Sequence, residues 1–162
     1  MEYKNGQIEG VVIKPLRFFK DQRGWLSEIY RNDELHMELH PSMAYMSMTV
    51  PGVTRGPHEH VEQTDYFVFI SSSFKVSLWD SRKASPTYGN SIFETVAASE
   101  PKVVIVPPGV VHAYTNIGTA DGIVLNLPNS LFLGWGKKGW RPETKIDEIR
   151  HEDDPNSPFK VD

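Results

Sequence analysis

The sequence predicts an all-β fold, one domain built as a barrel of short strands, and three observations predict it. Gly and Pro number twelve each in 162 residues and no long segment is free of both, punctuation that suits short strands joined by turns. The apolar runs are short and rich in β-branched and aromatic residues, the composition of strands. Helical patterning is confined to two brief pieces.

The elements follow in chain order. Strands fill residues 8–30, beginning with Val11-Val12-Ile13. Asn32 to Leu39 reads as two helical turns capped by Asn32 or Asp33. A barrel core spans about 40–128. It holds Tyr66-Phe67-Val68-Phe69-Ile70, Lys102-Val103-Val104-Ile105-Val106 and Gly122-Ile123-Val124-Leu125. Phe74, Val76 and Leu78 alternate with Lys75, Ser77 and Trp79, the period of a strand with one buried face. Ser71-Ser72-Ser73 then forms a tight hairpin turn. Met43, Met46 and Met48 are expected in the core, Glu59 and Glu62 in solvent. In the C-terminal segment, 129–162, a second helical piece covers Ile146 to His151. Gly134 to Trp140 is a substrate lid or a loop anchored by tryptophans, and the tail from Glu152 is mobile or laid over the barrel. Closing the sheet into a barrel removes its exposed edges.

Composition excludes several functions. Without cysteine there is no thiol catalysis and no zinc–thiolate site, and a reducing, cytoplasmic location is expected. No apolar run approaches the ~20 residues that span a bilayer, so neither a membrane partner nor export is expected. A net charge of −4 with interspersed signs shows no basic face, which argues against nucleic acid. A phosphate-bearing small molecule remains open, since a few placed arginines suffice for it.

His58-Glu59-His60 is the most informative local feature, because residues i and i+2 of a strand share a face. Asp65 follows His60 at an odd offset, so a bulge or turn is needed to bring it to the same side. His112 sits after Pro107-Pro108-Gly109, a turn that starts a strand at a fixed point. Gly52, His58, His60 and Asp65, followed by Pro107-x-Gly109-x-x-His112-x-x-x-Asn116, resemble the two motifs of the cupin superfamily. That resemblance implies a double-stranded β-helix (jelly-roll) barrel. It also implies a divalent ion (Zn, Fe, Mn, Ni or Co) held by His58, His60, Asp65 and His112.

A narrower resemblance covers nearly the whole chain. Phe18 to Glu28, Val53-Thr54-Arg55-Gly56-Pro57-His58, Trp79 to Gly89 and Ile149 to Pro155 resemble, in order, four motifs of the dTDP-4-dehydrorhamnose 3,5-epimerases. The Trp79-Asp80-Ser81-Arg82-Lys83-Ala84-Ser85-Pro86-Thr87-Tyr88-Gly89 run is the most specific of these. The resemblance implies an isomerase of deoxysugar and polysaccharide biosynthesis. In it a histidine removes the proton beside the ketone of a nucleotide-linked 4-keto sugar, and a tyrosine returns one from the other face. It makes His58 the base, with His60 beside it, and gives Arg23, Arg55, His112 and Tyr114 to the substrate. It also implies a homodimer in which one subunit's N-terminal strand reaches its partner's pocket.

This chain departs from that family at identifiable positions. The family's glutamine becomes His60, and its ketone-binding lysine falls at or near Asp65. Its tyrosine falls at Val124 or Leu125, and its late aspartate lies past Asp162. Arg55-Gly56-Pro57-His58-Glu59-His60 is also similar to the histidine pair of sugar-nucleotide 3,4-ketoisomerases, which usually lack a counterpart of His112. Three readings stand. The first is a nucleotide-sugar epimerase or isomerase. The second is a metal-dependent cupin acting on another small carbonyl or hydroxy acid. The third is a non-catalytic sugar-nucleotide-binding cupin.

Overall fold

The computed structural model describes residues 2–137 and 147–161. Thirteen strands form among the described residues: β1 (Lys4–Asn5), β2 (Val12–Pro15), β3 (Phe18–Asp21), β4 (Gly24–Ser27), β5 (Tyr45–Thr49), β6 (Thr54–His60) and β7 (Asp65–Phe69), then β8 (Ser73–Asp80), β9 (Asn90–Ala97), β10 (Lys102–Val106), β11 (Val110–Asn116), β12 (Gly122–Asn126) and β13 (Glu148–Arg150). They build a six-stranded sheet, β1-β9-β8-β11-β6-β13, over a five-stranded one, β2-β10-β7-β12-β5. The β3–β4 hairpin stands apart. The predicted all-β jelly roll is what forms, as two stacked sheets with β1 and β13 at the ends of one and β2 and β5 at the ends of the other.

The core lies between the sheets. Phe67, Phe69, Val104, Val106 and Val124 meet Phe74, Val76, Leu78, Val96, Val110 and Tyr114. Each such side chain contributes about 1.5–3 kcal/mol through burial. The outer faces are covered as well. Leu16, Ile29 and Leu35 pack on Tyr66, Val68, Val103 and Ile105. Tyr3, Phe159 and Val161 pack on Trp79, Val111 and Ala113. That double covering is why β7 and β10 read as unbroken apolar runs, and it fixes the tail against the barrel.

Several expectations are corrected. Ser71–Ser73 is no hairpin turn, because β7 and β8 lie in different sheets and the serines carry the chain between them. The helix at Asn32 is two separate 3-10 turns, Asn32–Glu34 and Met37–Leu39, neither capped by a side chain. Arg31 takes the Asp33 carboxylate at 2.7 Å and the Tyr30 hydroxyl takes Asn32, so neither side chain is free to cap. Glu148–Arg150 is the strand β13 rather than helix, drawn out by pairing with the edge of β6; Ile146 lies outside the described residues. Met46 and Met48 are 70% and 48% exposed, because they occupy the outward face of edge strand β5. Glu59 is not solvated, since its Oε1 lies 2.9 Å from His151 Nε2.

The run Trp79 to Gly89 proves to be a clasp. Asp80, fully enclosed, accepts from the Arg82 backbone N–H and guanidinium, from Ser85 Oγ and from Thr87 Oγ1. Although burial alone would raise its pKa, these donors hold it well below the usual carboxylate range. The folded-state pKa lies below the unfolded one, so the clasp contributes fully above about pH 4 and its contribution fades as pH falls below that. With several of these charge-assisted bonds weakened or lost, Asp80→Asn is expected to cost about 2 kcal/mol at pH 7. Urea unfolding measured from pH 7 to pH 3 should also show a shallower acid slope in the variant.

Candidate active site

The register of β6 on β11 decides which side chains enter the cavity. His58 faces His112, but Tyr114 faces Arg55, so two residues of β6, Gly56 and Pro57, oppose one of β11. This bulge brings Arg55 to the same side as His58 and His60 despite the odd spacing. Gly56 is required there: its φ is +81° and a Cβ would lie 2.5 Å from the His112 carbonyl oxygen. The Gly56–Pro57 peptide bond is cis.

Of the bulge or turn that the odd offset called for, it is a turn through residues 61–64 that brings Asp65 to the site. Asp65 opens β7, in the opposite sheet, and so faces the histidines across the interior. His60 Nε2 and His112 Nε2 lie 3.3 and 3.2 Å from its Oδ2. Gln63 Nε2 and Asn126 Nδ2 each donate to its Oδ1 at 2.8 Å. Burial pushes the Asp65 pKa up, but the two imidazoles outweigh it and hold the group ionised. His60 is raised: burial opposes protonation, while Asp65, Asp147 and Glu148 together prevail. Burial, then His112 and His60, pushes His58 down to about 2, so it stays a neutral imidazole.

One donor set of His58, His60, Asp65 and His112 places an atom from each residue within 4.8 Å of every other. His112 Nδ1 lies 3.1 Å from the Val110 carbonyl, which fixes the tautomer and turns Nε2 toward the cluster. That buried Nε2 has no hydrogen-bond partner. Although it lies close to Asp65, the contact lacks hydrogen-bond geometry. A lone pair beside a carboxylate calls for a cation between them, so these residues fit a divalent ion.

A cavity of about 1520 Å³ opens over the histidines. Arg55, His58, His60 and Tyr114 line it, as the sequence implied, whereas His112 forms its buried floor. Arg55 is aimed by bonds to Thr49 Oγ1 and the Met48 carbonyl. Arg23 is not brought in: it sits at the tip of the β3–β4 hairpin, highly exposed and paired with Asp21. The rim carries Phe132 and Trp135, the latter 87% exposed among the described residues; the second tryptophan of that loop, Trp140, lies outside them.

Two lining residues of β5, Tyr45 and Ser47, and the buried Thr49 that aims Arg55 went unread in the sequence. The inward face of β5 presents Tyr45, Ser47 and Thr49, a period-2 set hidden among methionines. Two carboxylates in and beside β13 also went unread, near the histidines for which one late aspartate was expected past Asp162. Glu148 Oε1 is 3.9 Å from His58 Nδ1, and Asp147 Oδ2 is 3.2 Å from His60 Nδ1. Both lie just before the Ile149 to Pro155 run, and only the pairing of β13 with β6 turns them toward the histidines. Val124 is core and Leu125 packs on the outer face of its sheet, so no phenol occupies the position the family pattern points to.

A jelly roll with histidines from two adjacent strands and a carboxylate from the facing sheet, all under an open cavity, defines a cupin. The sequence profile of the dTDP-4-dehydrorhamnose 3,5-epimerases matches residues 5–126, and the chain belongs to that family. A protein of Haloferax volcanii described as a probable low-salt glycan biosynthesis epimerase is 35% identical over 126 residues, 77% of this chain and 81% of that one. A spore coat polysaccharide biosynthesis protein of Bacillus subtilis is 34% identical over 111 residues, covering 68% of this chain and 73% of its own length. The dTDP sugar isomerase of Desulfovibrio desulfuricans superposes with a TM-score of 0.76 at 22% identity, over 94% of this chain and 91% of that one.

Proposed function

We propose that this protein is a sugar-nucleotide epimerase of glycan or polysaccharide biosynthesis, acting beside the ketone of a nucleotide-linked 4-keto sugar. One observation carries the reading: the His58 imidazole faces a cavity large enough for a nucleotide sugar, with a carboxylate oxygen of Glu148 3.9 Å from its Nδ1. A ketone acidifies the neighbouring C–H, and a neutral imidazole can take that proton. Glu148 stands where it would favour the imidazolium that results. Arg55 lines the same cavity and supplies a cation for a diphosphate, whereas Arg150, also in the lining, is paired with Glu148 and Glu152. The apolar faces of Phe132 and Trp135 at the rim suit a nucleobase.

Incubation with dTDP- or GDP-linked 4-keto-6-deoxy sugars in D2O tests this by NMR. Deuterium is expected at C3, C5 or both, falling at least about a hundredfold in His58→Asn. No incorporation by the wild-type protein overturns the reading.

A metal-dependent second reading is favoured by the partnerless His112 Nε2. His58, His60, Asp65 and His112 would hold the ion, and bound there it would polarise a carbonyl as a Lewis acid. The two readings part at His58, whose ring cannot be both ligand and base. Protein purified without chelator should carry close to one equivalent of a divalent metal; less than about a tenth of an equivalent sinks this reading.

A homodimer accounts for Arg23. Its hairpin exposes Phe19, Trp25 and Leu26 at 45%, 64% and 61%, a surface suited to a second copy whose cavity Arg23 would reach. Light scattering on the purified protein is expected to give twice the chain mass, and a monomer refutes the arrangement.

A further inference from the structure

Tyr45 and His58 enter the cavity from opposite walls, since β5 and β6 belong to different sheets. The Tyr45 hydroxyl is oriented by a single amide. Asn126 Oδ1 accepts the Tyr66 backbone N–H at 3.0 Å, which leaves no choice of which way the amide faces. Its Nδ2 donates to Asp65 Oδ1 at 2.8 Å and to Tyr45 Oη at 2.9 Å. A phenol oxygen that accepts in this way has its own proton to give elsewhere. Among the described residues nothing takes that proton, so it is available to the cavity.

The other phenol of the cavity is differently placed. Tyr114 is 5% exposed and packed among Phe67, Phe69 and Phe74 at ring separations of 5.6, 5.5 and 5.7 Å. Its hydroxyl is paired with Ser47 Oγ at 3.1 Å. Tyr114 therefore forms floor, whereas Tyr45 is 45% exposed at the wall.

We propose that Tyr45 is the second catalytic residue of the epimerisation, delivering a proton to the sugar carbon from the face opposite His58; this rests on the epimerase reading above. His58 takes the proton as the C–H bond breaks, and the electron pair moves into an enolate. The Tyr45 O–H bond then breaks as a new C–H bond forms on the other face. The phenolate regains a proton from water and the imidazolium loses one to it, so both groups return to their starting state. Burial holds the Tyr45 phenol up at about 12, despite the Asn126 bond, so the proton is present at neutral pH. The Asn126 N–H is already in place for the phenolate that forms.

The position is not one that the family pattern marks, since that pattern points to Val124 or Leu125 on β12. Tyr45 stands on the neighbouring strand, in register with Asn126. A phenol lost from one strand is thus met by one on the next.

Tyr45→Phe in D2O separates the two proton transfers. With the same 4-keto-6-deoxy sugar nucleotides, the variant is expected to lose net inversion at least about a hundredfold. It should keep deuterium exchange with retained configuration within several-fold of wild type, because His58 still removes and returns protons on its own face. Inversion by the variant at a wild-type rate overturns the role of Tyr45 alone. Loss of both exchange and inversion with an unchanged melting temperature also overturns it, since Tyr45 then serves substrate binding or abstraction. A wild-type protein that neither exchanges nor inverts removes the epimerase reading and this proposal together.

Discussion

Asp65 is a carboxylate with 1% of its surface exposed, placed between two sheets that are otherwise packed with Phe and Val. An isolated ionised group there would be very costly, so everything around it is arranged to satisfy it. The amides of Gln63 and Asn126 donate to its Oδ1, and the imidazoles of His60 and His112 lie 3.3 and 3.2 Å from its Oδ2. The cluster ties β7 to β6, β11 and β12 at one spot, and the cavity begins where that spot meets solvent. Removing any member leaves its partners buried and unpaired, which is worse than replacing the whole cluster by apolar groups.

The fold was legible because its signals are local. Gly and Pro punctuation and short β-branched runs require no knowledge of the partner strand. Sheet membership was not legible: nothing in Ser71-Ser72-Ser73 says whether the next strand lies beside the last or across from it. The same limit applied at the site. His58, His60, Asp65 and His112 could be gathered from spacing and motif, but whether a bulge or a turn brought Asp65 round could not, because its sheet was unknown. The real bulge lies at Gly56–Pro57 and serves Arg55 instead. Tyr45 and Glu148 were missed for a further reason. Each acts from an edge strand, and what an edge strand faces is decided by its neighbour's register rather than by its own sequence.

The cavity carries charge of both signs. Arg55, Lys137 and Arg150 share its lining with Asp147, Glu148 and Glu152, and Asp65 lies buried beneath the histidines. Arg150 lies 3.6 and 3.4 Å from Glu148 and Glu152. Arg55 is held instead by Thr49 Oγ1 and the Met48 carbonyl, uncharged partners that leave its charge to act on an approaching anion.

The Asp80 clasp shares no residue with the cavity, although its sequence run carries the most specific likeness to the family. Its bonds run to Arg82, Ser85, Thr87 and, through Arg82, to the Glu9 carbonyl, all on the scaffold. Heredity of framework and heredity of chemistry are thus written in different stretches of this chain. A descendant can exchange a lysine for an aspartate, or shift a phenol by one strand, and lose none of the marks by which its ancestry is recognised.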